Sequence, residues 1–208
     1  MLGTLCVPRE GAVRYVGVDP NKNNRFAYEG LQRRVSIYLR QEIRGTRSAQ
    51  MFYRPFEDWI RSATAQRFMG KADLCMTSPP YFGAENYDPD SSKQSANRYA
   101  AYEQWRTKFY LPLVKGAYDL LKPGGVFVLN IADVKEAMSL ERDARRLARE
   151  VGFANDGFYK MATPLHPSLR KAKTRKFHKL VVNGKDMKYE PVFVFRKPQL
   201  ATHGTLRG

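Results

Sequence analysis

A strand pattern that cannot continue lies near the middle of the chain. Residues 73–77 form a short, mostly apolar run typical of a buried strand, and Ser78-Pro79-Pro80-Tyr81 follows at once. Both prolines lack a backbone N–H and have a fixed φ, and each pushes the residue before it toward extended geometry. The pattern therefore predicts a stiff turn at the carboxyl end of a strand, with carbonyl acceptors beside an aromatic ring.

Turns of this kind occupy the edge where α/β proteins bind ligands. In open, mostly parallel sheets, ligands lie beyond the carboxyl ends of the strands. Carbonyl acceptors next to a flat ring suit an exocyclic amino group on a planar base. The turn is therefore the first candidate site, and its candidate residues are Ser78, Pro79, Pro80 and Tyr81.

The rest of the chain alternates between strand and helix patterns. Strands are predicted at 13–19, 50–53, 73–77, 126–131, 153–161 and 191–195, and helices at 25–44, 57–69, 98–121 and 135–151. This alternation predicts an α/β fold with a mostly parallel sheet and helices on both faces. The last two strands are expected to pair as an antiparallel hairpin at one edge. We expect a single domain over residues 1–197 and a frayed tail over 198–208.

Length and composition narrow the class of protein. A chain of 208 residues is long enough for one α/β domain with a substantial core. No apolar stretch approaches the roughly 20 residues needed to span a bilayer, and the first residues lack a signal-peptide pattern. Cys6 and Cys75 lack metal-ligand spacing and fit a reducing compartment. We expect a cytoplasmic protein with no membrane partner and no bound metal.

The charge balance points to a polyanionic partner. The formal net charge is +16, and so large an excess in a small domain favours nucleic acid over a membrane surface. Basic residues are concentrated at 165–188, which we expect to form a loop and hairpin along a phosphate backbone, with a solvated loop as the alternative. Six candidate contacts lie in this segment: Arg170, Lys171, Lys173, Arg175, Lys176 and Lys179.

The Pro-Pro turn resembles the catalytic motif of a known enzyme family. Residues 77–82, Thr-Ser-Pro-Pro-Tyr-Phe, resemble the [DNS]-P-P-[YFW] motif of S-adenosylmethionine-dependent DNA methyltransferases that modify amino nitrogens. The resemblance implies a Rossmann-like methyltransferase sheet, S-adenosylmethionine as cofactor and DNA as substrate. Ser at the first motif position implies cytosine N4 before adenine N6. The resemblance to this family also implies a restriction-modification context in a prokaryotic or phage-infected cell.

Two more stretches follow the order of that family. Residues 15–21 resemble its second strand, whose terminal acid binds the cofactor ribose, and Asp19 matches that acid. An Asp that shapes a turn or caps the next helix is the alternative. Residues 55–58 follow the third strand, where the family places an acid near the adenine, so Glu57 and Asp58 are cofactor candidates. The first turn of a helix attracts the same acids, which gives them an equally good structural role.

The Gly-rich cofactor turn of that family is not found in this sequence. In the family, a first strand leads into F-x-G-x-G, and Gly3, Gly11 and Gly17 are not spaced to replace it. Residues 1–7 resemble the helix that follows that turn. Three explanations stay open: a truncated chain, which we favour, a first strand supplied by a second polypeptide, or circular permutation.

The resemblance also implies a mechanism. The base amine would attack the sulfonium methyl group directly, with its N–H groups bound by the Pro79 carbonyl and the Ser78 side chain. Tyr81 would stack on the base, which must first flip out of the duplex. Two alternatives remain: a non-catalytic relative that binds nucleic acid, and a methyltransferase that acts on RNA or protein.

Overall fold

The computed structural model describes residues 12–42, 47–83, 92–135, 137, 139–163 and 179–199. Strands and helices alternate along the chain, as the sequence patterns predicted. In chain order they are β1 (Val13–Val18), α1 (Arg25–Glu42), β2 (Arg47–Phe52), α2 (Phe56–Trp59), α3 (Ala63–Gln66), β3 (Ala72–Thr77), α4 (Ser95–Arg98), α5 (Tyr102–Trp105), a π-helix (Arg106–Tyr110), α6 (Leu111–Leu120), β4 (Leu121–Asn130), α7 (Leu140–Val151), β5 (Ala154–Thr163), β6 (Lys179–Val182) and β7 (Lys185–Arg196).

The described strands form two sheets. β1 and β2 pair in parallel and make the smaller sheet. The larger sheet has the order β3-β4-β7-β5, and β6 also pairs with β7. β3, β4 and β5 run in one direction, while β7 runs antiparallel to both of its neighbours β4 and β5. The strand directions confirm the predicted α/β class and mostly parallel sheet, since β3, β4 and β5 run the same way, and the antiparallel pair β5–β7 lies at one edge.

The antiparallel part also includes the strand β6. β6 and β7 form a hairpin whose turn residues Asn183 and Gly184 have φ values of 50° and 73°. Asn-Gly is a strong signal for a two-residue hairpin turn, because both positions require positive φ. The expected hairpin in the basic segment 165–188 is therefore present, although the sequence analysis did not assign the limits of its strands. The predicted strand 191–195 therefore begins earlier, at Lys185.

One face of the larger sheet is covered by α6 and α7. α7 places its apolar residues at i, i+4, i+7 and i+8, which gives it one buried face. α7 ends at Gly152, whose φ of 108° forms a left-handed cap. The core between these helices and the sheet includes Leu113, Val114, Ala117, Phe127, Leu129, Leu140, Ala144, Leu147, Phe193 and Phe195.

The helix predicted over residues 98–121 begins only at Tyr102, and its middle is a π-helix that ends two residues before Pro112. α5 passes into the π-helix before α6 begins. Pro112 has no N–H, so it cannot donate the α-helical bond to the carbonyl of Lys108. The wider π-turn therefore reflects the sequence, and such turns are frequent at functional sites.

Residues 122–125, Lys-Pro-Gly-Gly, form a bulge within β4. Ala72 pairs with Leu121 and Leu74 pairs with Val126, so five steps along β4 match two along β3. A Cβ on Gly125 would lie 2.9 Å from the Lys122 carbonyl oxygen and 3.1 Å from that of Ala72. Only glycine fits this close approach of three backbone segments.

The smaller sheet packs against a separate cluster of buried side chains, formed by Trp59, Ile60, Ala65 and Leu120. Side chains from β1 and β2, and from β3 of the larger sheet, contact the same cluster. Within the described residues, however, no strand pairing joins the two sheets. β3 therefore has one edge without a strand partner among the described residues, and its Leu74 and Met76 are 54% and 72% exposed. No helix in the described ranges is long and apolar enough to cross a membrane.

Candidate active site

The Pro-Pro turn follows β3 at the carboxyl end of the larger sheet. Thr77 pairs with Leu129, so Ser78 lies beside the last residue of β4, Asn130. Asn130 is buried, and its side-chain amide donates to the Pro191 carbonyl over 3.0 Å. Ser78 itself is exposed. The structure therefore presents the Ser78 hydroxyl at the edge that the sequence analysis identified as the ligand edge.

Aromatic packing fixes the second half of the turn. The Tyr81 ring belongs to the main core and is only 8% exposed. Phe82 packs edge-to-face against Tyr102 and Trp105, with ring centroids 5.5 and 6.2 Å apart. These contacts attach the turn to α5. Stacking of Tyr81 on a base requires its ring to move out of this core.

Asp19 lies directly after β1 and accepts three hydrogen bonds. The backbone N–H of Asn21 donates to Oδ1 over 2.8 Å. The Asn24 amide and the Tyr28 hydroxyl donate to Oδ2 over 3.0 and 2.9 Å. Burial, together with the bond to Asp19, raises the pKa of Tyr28 to about 12, so this hydroxyl remains a donor. Asp19 thus shapes the turn into α1, while Oδ1 keeps a lone pair for one more donor.

Glu57 and Asp58 belong to an ion-pair cluster that joins α2 to α4. Arg98 Nη1 lies 2.9 Å from both Glu57 Oε1 and Asp58 Oδ2, and Nη2 lies 3.2 Å from Asp58 Oδ1. The Tyr99 hydroxyl donates to Glu57 Oε1 over 3.1 Å. Burial raises the pKa of Glu57, although Arg98 partly opposes the shift. With Glu57 only 3% exposed, these contacts favour the structural role of the two acids over cofactor binding.

The predicted DNA contacts fall mostly outside the described residues. Lys179 is the first residue of β6. The other five lie in a segment that is not described: Arg170, Lys171, Lys173, Arg175 and Lys176. No group of three or more potential metal ligands occurs in the part of the chain that the structure describes.

A polar cleft that the sequence analysis missed lies beside the aromatic packing of the turn. It has a volume of about 490 Å³ and is lined by Tyr102, Glu103, Arg106, Ser139, Arg142, Asp143 and Arg146. Tyr102/Arg106 and Arg142/Arg146 are both i, i+4 pairs, so each pair shares one helix face. That spacing was the available signal, but nothing in the sequence indicates that the two faces meet.

One family model matches the part of the chain that contains this site. The DNA methylase model matches residues 72–205, which include the Pro-Pro turn and the entire larger sheet. This chain belongs to the DNA methylase family. The methylase match begins at the first residue of β3, so the smaller sheet and Asp19 lie outside it.

Several solved structures are similar to this chain at low identity. A candidate DNA modification methylase from Thermus thermophilus, complexed with S-adenosyl-L-methionine, is 18% identical, with 74% of this chain and 57% of that chain covered and a TM-score of 0.44. An S-adenosylmethionine-dependent methyltransferase from Methanosarcina mazei is 13% identical, with coverage of 90% and 83% and a TM-score of 0.48. This chain spans little more than half of the Thermus protein. No curated protein matches it.

Proposed function

We propose that this chain transfers a methyl group from S-adenosylmethionine to an exocyclic amino nitrogen of a base in DNA. The main support is the Ser78-Pro79-Pro80-Tyr81 turn, which follows a parallel strand of a DNA methylase domain. The net charge of +16 favours a nucleic-acid substrate. Ser78 at the first motif position supports cytosine N4 as the target before adenine N6.

The turn supplies acceptors for the hydrogens of the amine. When bound, S-adenosylmethionine supplies an electrophilic methyl group on a sulfonium. The Ser78 side chain and the Pro79 carbonyl accept the N–H groups of the amine and draw its nitrogen toward tetrahedral geometry. Positive charge develops on that nitrogen in the transition state, so acceptors fixed in advance lower the barrier.

To stack on a flipped base, the Tyr81 ring would have to leave the protein core. Removing its ring from the core costs about 1.5–3 kcal/mol, and stacking on a flipped base returns about 1–3 kcal/mol. Because these magnitudes are similar, the movement is energetically accessible once a base is present. The proposal therefore includes outward rotation of Tyr81 during base binding.

The described residues fit only part of a cofactor site. Asp19 lies at the end of a parallel strand and has remaining acceptor capacity for a ribose hydroxyl. Glu57 and Asp58 are held by Arg98 and do not fit the adenine. We propose that a strand from outside the described residues pairs with β3 and completes the site. The exposed Leu74 and Met76 suit such a strand, because strands inside parallel sheets are apolar on both faces.

Methyl transfer to DNA is tested with the Ser78→Ala variant. Product analysis of digested duplex DNA should give N4-methylcytosine, and Ser78→Ala should lower the rate by about 10²-fold, since one acceptor is lost. Ser48→Ala, which removes an exposed hydroxyl from β2, is the matched control and should keep the full rate. Full activity of Ser78→Ala would exclude the turn as the catalytic centre, and N6-methyladenine as product would overturn the choice of base.

Completion of the cofactor site is tested by calorimetric titration of the 208-residue chain with S-adenosylmethionine. We expect binding weaker than the micromolar range, because no strand among the described residues pairs with the open side of β3, and the transfer assays are therefore run at millimolar cofactor. Micromolar binding would show that the site is complete without an added strand. If DNA binds and the cofactor does not, the chain alone behaves as the non-catalytic relative considered from the sequence.

A further inference from the structure

We infer that the cleft between α5 and α7 binds a backbone phosphate of the DNA next to the catalytic turn. This inference rests on the proposed function, because it takes duplex DNA as the partner. It assigns a contact site within the described residues, separate from the basic segment at 165–188. The cleft is called the arginine cleft below, after Arg106, Arg142 and Arg146.

The arginine cleft lies at the same end of the sheet as the Pro-Pro turn. α7 follows β4, and its first turn is tied to the carboxyl end of that strand by two reciprocal bonds. The Asp133 N–H donates to Glu141 Oε1 over 3.1 Å, and the Glu141 N–H donates to Asp133 Oδ1 over 3.0 Å. On the other wall, the Tyr102 ring contacts Phe82 of the turn. A duplex that places a base at Ser78 therefore brings its flanking phosphates toward this cleft.

Two of the three guanidinium groups are held in place by carboxylates. Arg106 pairs with Glu103 through both Nε and Nη2. Arg146 Nη2 lies 3.2 Å from Asp143 Oδ1, and the Tyr102 hydroxyl donates to Asp143 Oδ2 over 2.6 Å. Both carboxylate oxygens of the buried Asp143 are therefore bound, one by Tyr102 and the other by Arg146. It orients the cleft wall and presents little negative charge to a ligand.

One guanidinium of the cleft is available to a ligand. Arg142 is exposed and has no ion pair among the described residues. Arg146 Nε is buried and forms a long ion pair with Glu150 Oε1 at 3.9 Å, so it is not counted as an available donor. The cleft therefore presents the free Arg142 guanidinium beside two anchored ones, and its three arginines outnumber its two carboxylates.

A phosphate group satisfies these donors best. Phosphate oxygens accept two N–H bonds from one guanidinium, and arginine is the side chain best suited to that geometry. Three guanidinium groups exclude a cation from the same space.

The test compares Arg142→Ala with Arg149→Ala. Arg149 is also exposed on α7 but lies two turns, about 10 Å, farther from the cleft end of the helix. Binding of a fluorescent duplex is followed by anisotropy across a range of salt concentrations, without cofactor. Losing one phosphate contact lowers the slope of log affinity against log salt by about 1, so Arg142→Ala should bind about eightfold more weakly at about 0.1 M salt. Arg142→Lys should recover most of the slope.

The outcomes separate this inference from the proposed function. Equal slopes for Arg142→Ala and Arg149→Ala would overturn the cleft assignment while DNA binding stands. Failure of the wild-type chain to bind duplex DNA at low salt would overturn the DNA partner and with it the cleft assignment. An Arg142→Ala effect confined to duplex RNA would assign the cleft to RNA instead. Equal melting temperatures of the variants show that the comparison is made on folded protein.

Discussion

The larger sheet packs one face against α6 and α7, through a continuous core that includes Phe127, Leu129, Phe193 and Phe195. The smaller sheet rests on four buried residues, and one of them, Leu120, comes from α6 of the other region. The methylase family match covers the first region and stops short of the second. The region that contains the Pro-Pro turn therefore has its own core. The region that contains Asp19 instead packs partly against Leu120, which belongs to the other region.

Removing one tryptophan from each region should separate their stabilities. Trp105 is fully buried and contacts the rings of Phe82, Tyr102, Phe109 and Tyr110. Trp105→Ala should lower the free energy of unfolding by about 3–5 kcal/mol, because it leaves a large cavity in the main core. The loss is measured by urea denaturation followed by circular dichroism.

Trp59→Ala is the matched change in the cluster under the smaller sheet. Trp59 is buried against Phe52, Phe56 and Phe68. We expect faster hydrogen exchange in residues 13–52 with the protection of β4 and β7 unchanged, because regions with small cores open locally. If Trp59→Ala instead lowers the protection of β4 as much as Trp105→Ala does, the two regions form one cooperative unit and the comparison fails.

Substitution of one glycine in each region compares the two regions through smaller losses of stability. Gly125→Ala should cost about 1–3 kcal/mol, because its Cβ meets the Lys122 and Ala72 carbonyl oxygens, which cannot move without distorting the sheet. A Cβ on Gly17 in β1 meets only the side chains of Met51 and Tyr15. Methionine repacks easily, so Gly17→Ala should cost less than about 1 kcal/mol. Thermal melts of both variants test this order, and a larger loss for Gly17→Ala would contradict it.

The smallest predicted effect concerns the link between the two regions. Glu57 on α2 faces Arg98, Tyr99 and Asp58, and burial raises its pKa above the ordinary value of 4.5. The folded state therefore holds this proton more tightly than the unfolded state does. It follows that stability falls as pH rises from about 4.5 through the raised pKa. Glu57→Gln should remove this part of the pH dependence in urea titrations, and an unchanged profile would exclude Glu57 as its source.

The sequence predicted most of the larger sheet because its strands are short apolar runs bounded by clear turn signals. Gly124-Gly125 and the Pro79-Pro80 dipeptide determine the local backbone conformation themselves, so the ends of these strands can be predicted without knowledge of the tertiary contacts. Helix limits were less accurate: the helix predicted at 57–69 is two short helices, α2 and α3, separated by a turn. Within 98–121, the apolar pattern did not predict the π-helix, which lies where Pro112 cannot donate an α-helical hydrogen bond.

The candidate site was predictable only where neighbouring residues define it. Ser78 and Asp19 follow strands, so local pattern and strand direction place them at sheet ends. The Arg98 cluster could not be predicted, because Arg98 meets Glu57 and Asp58 across 40 positions of sequence. The same holds for the arginine cleft, whose two walls come together only through the packing of α6 against α7.

The unpaired edge of β3 also governs how the protein behaves in concentrated solution. An exposed strand edge with apolar side chains is a template for the addition of further strands, and such addition begins aggregation. Leu74 and Met76 give β3 these properties. Chains kept without a completing strand should therefore self-associate as their concentration rises, through the same surface that a completing strand would occupy. Solubility thus becomes an indirect measure of whether the cofactor half of the molecule has been completed.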